Sequence, residues 1–236
     1  MSDPDDDEPA SFASPPCFMH ELDPDYLFPP PPVRPARDDT GQDIDLKRWR
    51  KAERERLTGQ RMALRAHERQ PHDAAIRTGL ESAIGAVEGL VVSAYWPFKA
   101  EPDLRPLLGL IAGRGGRVAL PVVVARGRPL IFRAWTPGEP VTRGFWNIPV
   151  PPETAEVVVP DVVIAPAIGF DSACYRLGYG GGFYDRTLAA RNPRPRVLGV
   201  GYAFAAIPTI YPQWHDIPMD LVVTEAGTVT PAAAEG

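Results

Sequence analysis

"DVVIAPAIGFDSACYRLGYGGGFYDRTL", residues 161–188, decides how this chain is read. Its first part, Val162 to Ile168, is a near-continuous apolar run, the pattern of a strand covered on both faces of a largely parallel sheet. Four glycines, Gly178, Gly180, Gly181 and Gly182, then fall within five positions, and the "FYDRTLAAR" that follows has helical spacing. A strand, a glycine-rich loop and a helix in that order let backbone N–H groups approach an anion closely, with the dipole of the helix N-terminus behind them. Phosphate is the natural guest. The loop is not a Walker sequence, because no G-K-[ST] follows, and it does not fit G-x-G-x-x-G, because Phe183 stands where the third glycine belongs. Taken alone, such glycines can equally serve tight turns.

The flanks add chemistry. Arg176 can pair with phosphate oxygens through two N–H groups. Asp185 can hold Mg²⁺, or serve only as a first-turn carboxylate favoured by the helix dipole.

Outward from this stretch, short apolar runs bounded by turn residues read as strands: "LVVSAYWP", "RVALPVVVA", "PLIFRAW", "RVLGVGYAF" and "DLVVTE". "PDLRPLLGLIAGRGG" reads as a helix between them. Ahead of them, "DLKRWRKAERERLTGQRMALRAHERQ" predicts a helix with a strongly basic face, and "PHDAAIRTGLESAIGAVEGL" a second, amphipathic one. Strands alternating with helices predict an α/β fold, a three-layer sandwich with a mostly parallel central sheet flanked by helices, Rossmann-like without the dinucleotide fingerprint.

Ten of the 29 prolines fall in the first 35 residues, beside "DPDDDE". That composition cannot bury enough apolar surface to offset its ordering entropy, so residues 1–44 are expected to be a disordered, acidic, proline-rich tail and residues 45–236 the folded domain. The 236-residue chain is 44% apolar with net charge −5, which argues against a general attraction to nucleic acid or anionic membrane. Cys17 and Cys174 form no zinc-spaced cluster, no apolar run is long enough to span a bilayer, and the acidic start is unlike a signal peptide. A cytoplasmic protein without nucleic-acid or membrane partners, monomeric or weakly dimeric, is expected.

The stretch 164–188 resembles the signature of the 5-formyltetrahydrofolate cyclo-ligase (methenyltetrahydrofolate synthetase) family, which runs roughly P-x-x-x-F-D-x-x-G-x-R-L-G-x-G-x-G-[YF]-Y-D. Pro166, Phe170, Asp171, Arg176, Leu177, Gly178, Gly180, Gly182, Phe183, Tyr184 and Asp185 match it. "YWPFKAEPDLRPLL", "ALPVV", "WNIPVP" and "WHDIPMDLVVTE" resemble further family segments, so the likeness spans about residues 47–226.

The resemblance implies ATP- and Mg²⁺-dependent conversion of 5-formyltetrahydrofolate, with or without a polyglutamate tail, to 5,10-methenyltetrahydrofolate, ADP and phosphate. It also implies roles. Arg176 and Tyr184 would be catalytic. The nucleotide would be held by Arg50, Lys51 and Arg54 and by the loop Arg176, Leu177, Gly178, Tyr179, Gly180, Gly181, Gly182, Phe183 and Tyr184. Glu101, Trp146, Tyr179 and Phe183 would meet the folate, and Asp185 and Asp216 the metal. For Glu101 the alternative is an exposed helix-start carboxylate, and for Trp146 a core-filling indole.

Three positions depart from the family pattern. Arg50 stands where a lysine opens K-x-x-L-R, Cys174 where a glycine precedes x-R-L-G, and Val150 where many relatives carry glutamate. If position 174 needs positive φ, cysteine strains the turn. Two competing readings follow: a diverged relative that binds nucleotide or folate without turnover, and a scaffold or RNA-associated protein working through its basic helix and proline-rich tail.

Overall fold

A computed structural model describes residues 41–231. Four helices are present among these residues: α1 (Gly41–Ala63), α2 (Ala66–Ile84), α3 (Arg105–Gly113) and α4 (Phe183–Ala189). The expected tail lies outside the described residues, except that α1 already begins at Gly41.

The strands are β1 (Val91–Ala94), β2 (Arg117–Val123), β3 (Leu130–Ala134), β4 (Thr142–Arg143), β5 (Pro149–Val150), β6 (Val157–Val158), β7 (Val162–Pro166), β8 (Gly169–Phe170), β9 (Arg176–Leu177), β10 (Arg196–Val200), β11 (Leu221–Thr224) and β12 (Gly227–Val229). Eight of them form one sheet in the order β12-β11-β10-β7-β1-β2-β3-β6. The run from β11 to β2 is parallel, and β12, β3 and β6 add antiparallel edges.

Alternation along the central strands explains the three layers. On one face Val92, Val118, Ile164 and Leu198 meet Ile76 and Leu80 of α2 and Leu107 and Ile111 of α3. On the other, Ala165, Val197 and Val222 meet Leu57 of α1 and Leu188 of α4. Both faces are therefore apolar, and "DVVIAP" reads as a continuous run because neither side of β7 meets water. Helix α2 packs close to β11 at Gly79, where a Cβ would stand 2.7 Å from Val223 Cγ1.

The helix boundary expected near Pro71 falls earlier. Helix α1 ends at Ala63, and α2 starts at Ala66 because Arg65 N–H donates to Glu68 Oε2 at 2.7 Å, a local cap that opens a new helix. Pro71 then lies inside α2, beyond its first turn, where its missing N–H forgoes one backbone bond.

Strand β1 is flanked by β2 on one side and β7 on the other, so the chain's winding reverses there. Such a reversal leaves a crevice outside the carboxyl ends of the strands, the usual ligand site of open α/β sheets. Tyr95 and Trp96 after β1, Pro121 in β2 and Pro166 ending β7 all line one cleft at that position.

Candidate active site

The turn between β8 and β9 is built on Asp171. Its Oδ1 accepts the N–H groups of Ala173 and Tyr175 at 3.2 and 3.0 Å, and its Oδ2 accepts that of Ile210 at 3.1 Å. Cys174 sits in this turn with φ of 60°, so the position does require the left-handed conformation that suits glycine. Its thiol is buried, donates to Val229 O at 3.5 Å and is pushed up to about 11 by desolvation, which keeps it protonated and inert.

Beyond β9 the loop turns through Gly180 (φ 91°) and Gly182 (φ 63°). Among the described residues, the N–H groups of residues 179–182 have no hydrogen-bond acceptor. Unsatisfied amides facing a cleft suit an anion. Helix α4 is only seven residues long, so the loop amides rather than a long helix dipole supply the positive potential.

Cations close around this loop. Arg176, 7% exposed, pairs with Asp185 at 3.0 Å and lies over the Tyr184 ring at 5.3 Å. Arg54 donates from Nε to Gly178 O at 2.6 Å, and its guanidinium carbon is 3.5 Å from where a Cβ on Gly180 would stand. Desolvation and the neighbouring Arg50 lower the pKa of Arg54, an unfavourable setting that an incoming anion would relieve. Arg50 pairs with Asp216 at 2.6 Å. Lys51, next to it, is exposed and stands off the cleft wall, because α1 turns its basic stripe by helical steps and position 51 falls on the solvent side.

Aromatic rings complete the lining. Trp146 (φ 55°) is 47% exposed, so it is no core-filling residue; its ring is nearly parallel to Phe98 at 6.4 Å and edge-on to Tyr179 at 5.8 Å. Phe183 meets Phe145 at 6.0 Å. Glu101 is buried, which removes its reading as an exposed carboxylate: Oε1 accepts the Tyr179 hydroxyl at 2.8 Å and Oε2 the Phe98 N–H at 2.9 Å. Burial pushes Glu101 up to about 7, against the opposing pull of Arg61 and the two hydrogen bonds. Tyr184 is likewise raised by desolvation and remains a neutral phenol.

One cleft therefore collects Arg50, Arg54, the whole stretch from Arg176 to Asp185, Glu101, Trp146 and Asp216. His215 also reaches it, 3.9 Å from Asp216. Sequence reasoning missed Arg61, Tyr95, Phe98 and Phe145. For Arg61 a signal existed: Arg50, Arg54, Leu57 and Arg61 follow helical spacing and form the inward stripe of α1. These three arginines lie on the inward stripe, while Lys47, Arg48, Lys51 and Arg56 of the same helix are exposed.

Two carboxylates, Asp185 and Asp216, stand on the cleft wall, each tied to an arginine. Among the described residues, no group of three or more His, Cys, Asp or Glu could hold a metal ion. That donor set fits a Mg²⁺ bound chiefly through substrate phosphates and one or two carboxylates, not one held in an all-protein cage. Among the same residues no helix is long and apolar enough to cross a membrane.

Comparison with known proteins matches this architecture. A 5-formyltetrahydrofolate cyclo-ligase of Mycolicibacterium smegmatis is 35% identical over 163 residues, covering 64% of this chain and 84% of that protein. One from Escherichia coli K12 is 30% identical over 171 residues, covering 70% and 93%. The solution structure of Aquifex aeolicus 5,10-methenyltetrahydrofolate synthetase superposes with a TM-score of 0.69 at 26% identity, covering 79% of this chain and 95% of that one. The sequence pattern of the 5-formyltetrahydrofolate cyclo-ligase family matches residues 46–225, and the chain belongs to that family.

Proposed function

We propose that this protein is a 5-formyltetrahydrofolate cyclo-ligase that uses ATP and Mg²⁺ to form 5,10-methenyltetrahydrofolate, ADP and phosphate. The observation that carries this reading is a single cleft lined by two unlike sets of groups: loop amides without an acceptor among the described residues together with arginines, and aromatic rings around a buried carboxylate. A triphosphate suits the first set and a flat pterin with N–H donors the second.

The chemistry asks little of side chains as nucleophiles. The formyl oxygen attacks the γ-phosphorus and ADP leaves; N10 then closes on the activated carbon, and phosphate departs. Positioning and charge neutralisation carry such a sequence. The loop amides and Arg54 receive phosphate oxygens, and Arg176 answers the charge that develops on the transferring group. Glu101 and Tyr179 orient the pterin edge, while Trp146 and Phe183 exclude water from its faces. Asp185 and Asp216 would hold a Mg²⁺ together with the phosphates, and the ion would supply further neutralisation. Tyr184, a neutral phenol over Arg176, fixes that guanidinium's plane. The buried free thiol of Cys174 suits a reducing compartment, and we place the reaction in the cytoplasm.

The test is direct. Purified protein, 5-formyltetrahydrofolate and Mg²⁺ are mixed with and without ATP, and the methenyltetrahydrofolate absorbance band is followed. An ATP-dependent rise is expected. A flat trace from folded protein that binds ATP would leave the diverged, non-catalytic relative as the better reading.

A further inference from the structure

Arg61 is an arginine whose burial needs a reason. It is 4% exposed inside the fold, where a guanidinium is costly unless its N–H groups are matched. Its Nε donates to Lys99 O at 2.9 Å, one Nη to the Tyr179 hydroxyl at 2.7 Å, and the other Nη is 3.9 Å from Glu101 Oε1. The carboxylate is thus not its direct hydrogen-bond partner. The Tyr179 hydroxyl stands between them.

That placement fixes a proton. Arginine only donates, so the Tyr179 oxygen must accept from Arg61, and its single proton is left for Glu101 Oε1, 2.8 Å away. Glu101 Oε2 is already oriented by Phe98 N–H. The segment between them is strained: Lys99 (φ 48°) and Ala100 (φ 59°) are consecutive non-glycine residues in the left-handed region, directly before Glu101. The bond from Arg61 to Lys99 O holds that segment to α1.

We propose that Arg61 is a positioning residue for the folate half of the site: it directs the Tyr179 proton onto Glu101 and clamps the strained Lys99–Ala100 turn, so fixing the acceptor edge that Glu101 offers to the pterin. The inference rests on the folate reading above. The groups facing Glu101 are Arg61 from α1, the Tyr179 phenol from the glycine loop, the buried phenol of Tyr95 and the half-buried phenol of Tyr184. Arg61 is the one cation among these, so its charge favours the ionised acceptor. Arg54, two turns earlier on the same helix, holds Gly178 O, so α1 grips neighbouring loop residues for the two substrates separately.

The test is steady-state kinetics on Arg61→Lys, Tyr179→Phe and the double variant of the full chain, varying each substrate in turn. Lysine keeps the charge but cannot reach the Lys99 carbonyl and the Tyr179 hydroxyl together. Phenylalanine keeps the ring and removes the relay. Each single variant is expected to raise KM for 5-formyltetrahydrofolate about tenfold with KM for ATP within about twofold of wild type, and the double variant to cost little more than either single. Should Arg61→Lys fail to fold, Tyr179→Phe carries the same expectation. Equal rises in both KM values, or an unchanged folate KM in a folded variant, would overturn the positioning role and leave the cyclo-ligase reading standing. No turnover in wild type would overturn both.

Discussion

Arg50 grips Asp216 with both Nη groups, at 2.6 and 3.4 Å, while its Nε and one Nη also donate to the carbonyls of Ile210 and Tyr211. A lysine, with one compact ammonium, could not make this fork. The arginine at this position therefore staples α1 to the 210–216 loop, and Arg54, nearer the glycines, is the better placed of the two to receive phosphate.

Arg50→Lys tests that division. Charge is kept and the staple is lost, so thermal stability should fall by about 1–2 kcal/mol while KM for ATP rises less than tenfold. Arg54→Lys should do the reverse. A melting temperature unchanged in Arg50→Lys would show that the fork contributes nothing to the fold.

Arg176 has a buried guanidinium and one carboxylate partner, Asp185. Arg176→Ala should weaken ATP binding by more than tenfold, measured calorimetrically on protein whose circular dichroism is unchanged. Wild-type affinity would mean that the arginine serves the turn and not the phosphates.

Asp185→Asn removes the negative charge and keeps an acceptor for only one of two donors, the Arg176 guanidinium on Oδ2 at 3.0 Å or the Ile217 N–H on Oδ1 at 3.3 Å. Turnover should fall at least about a hundredfold, with a higher Mg²⁺ requirement, while thermal stability falls only by what one lost hydrogen bond costs, about 1–3 kcal/mol. Full activity at wild-type Mg²⁺ concentration would remove Asp185 from the metal's coordination.

The layer order was legible because burial on both faces writes itself into sequence as unbroken apolar runs: "DVVIAP" became β7 and "RVLGV" became β10. The glycine loop was legible because its spacing is long and specific. The two-residue strands β4, β5, β8 and β9 were not, since pairs such as Thr142–Arg143 carry no periodicity of their own and owe their conformation to tertiary contacts. Arg61 was hidden for another reason. A helix rich in arginine reads as a solvated basic face, and only the placement of Leu57 between Arg54 and Arg61 marks that stripe as the buried one.

Cys174 offers a test of backbone strain. With φ of 60°, cysteine carries a left-handed cost of about 1–2 kcal/mol that glycine would not, whereas alanine would keep the cost and lose the sulfur contacts. In denaturant unfolding, Cys174→Gly should therefore be more stable than Cys174→Ala, the reverse of the order seen at ordinary positions. Alanine being the more stable would show that the turn tolerates a side chain without strain.

Glu101 makes the folate side sensitive to pH. Burial lifts its pKa from the ordinary 4.5 to about 7, so the carboxylate is ionised above that pH and protonated below it. As an acceptor for pterin N–H groups it works in the ionised form. With ATP and Mg²⁺ saturating, KM for 5-formyltetrahydrofolate should be flat above about pH 8 and rise about tenfold per unit below about pH 6. Folding runs the other way: because the folded pKa is raised, the native state binds the extra proton. This group's contribution to stability is therefore fully present below 4.5 and is lost as pH rises through about 7. Glu101→Gln should abolish both effects together, giving a high, pH-independent KM and a flatter stability profile between pH 4.5 and 7. An acidic limb that instead sits near 4.5 would show that Glu101 is solvated when folate binds, and that Arg61 and Tyr179 do not hold it in a dry site.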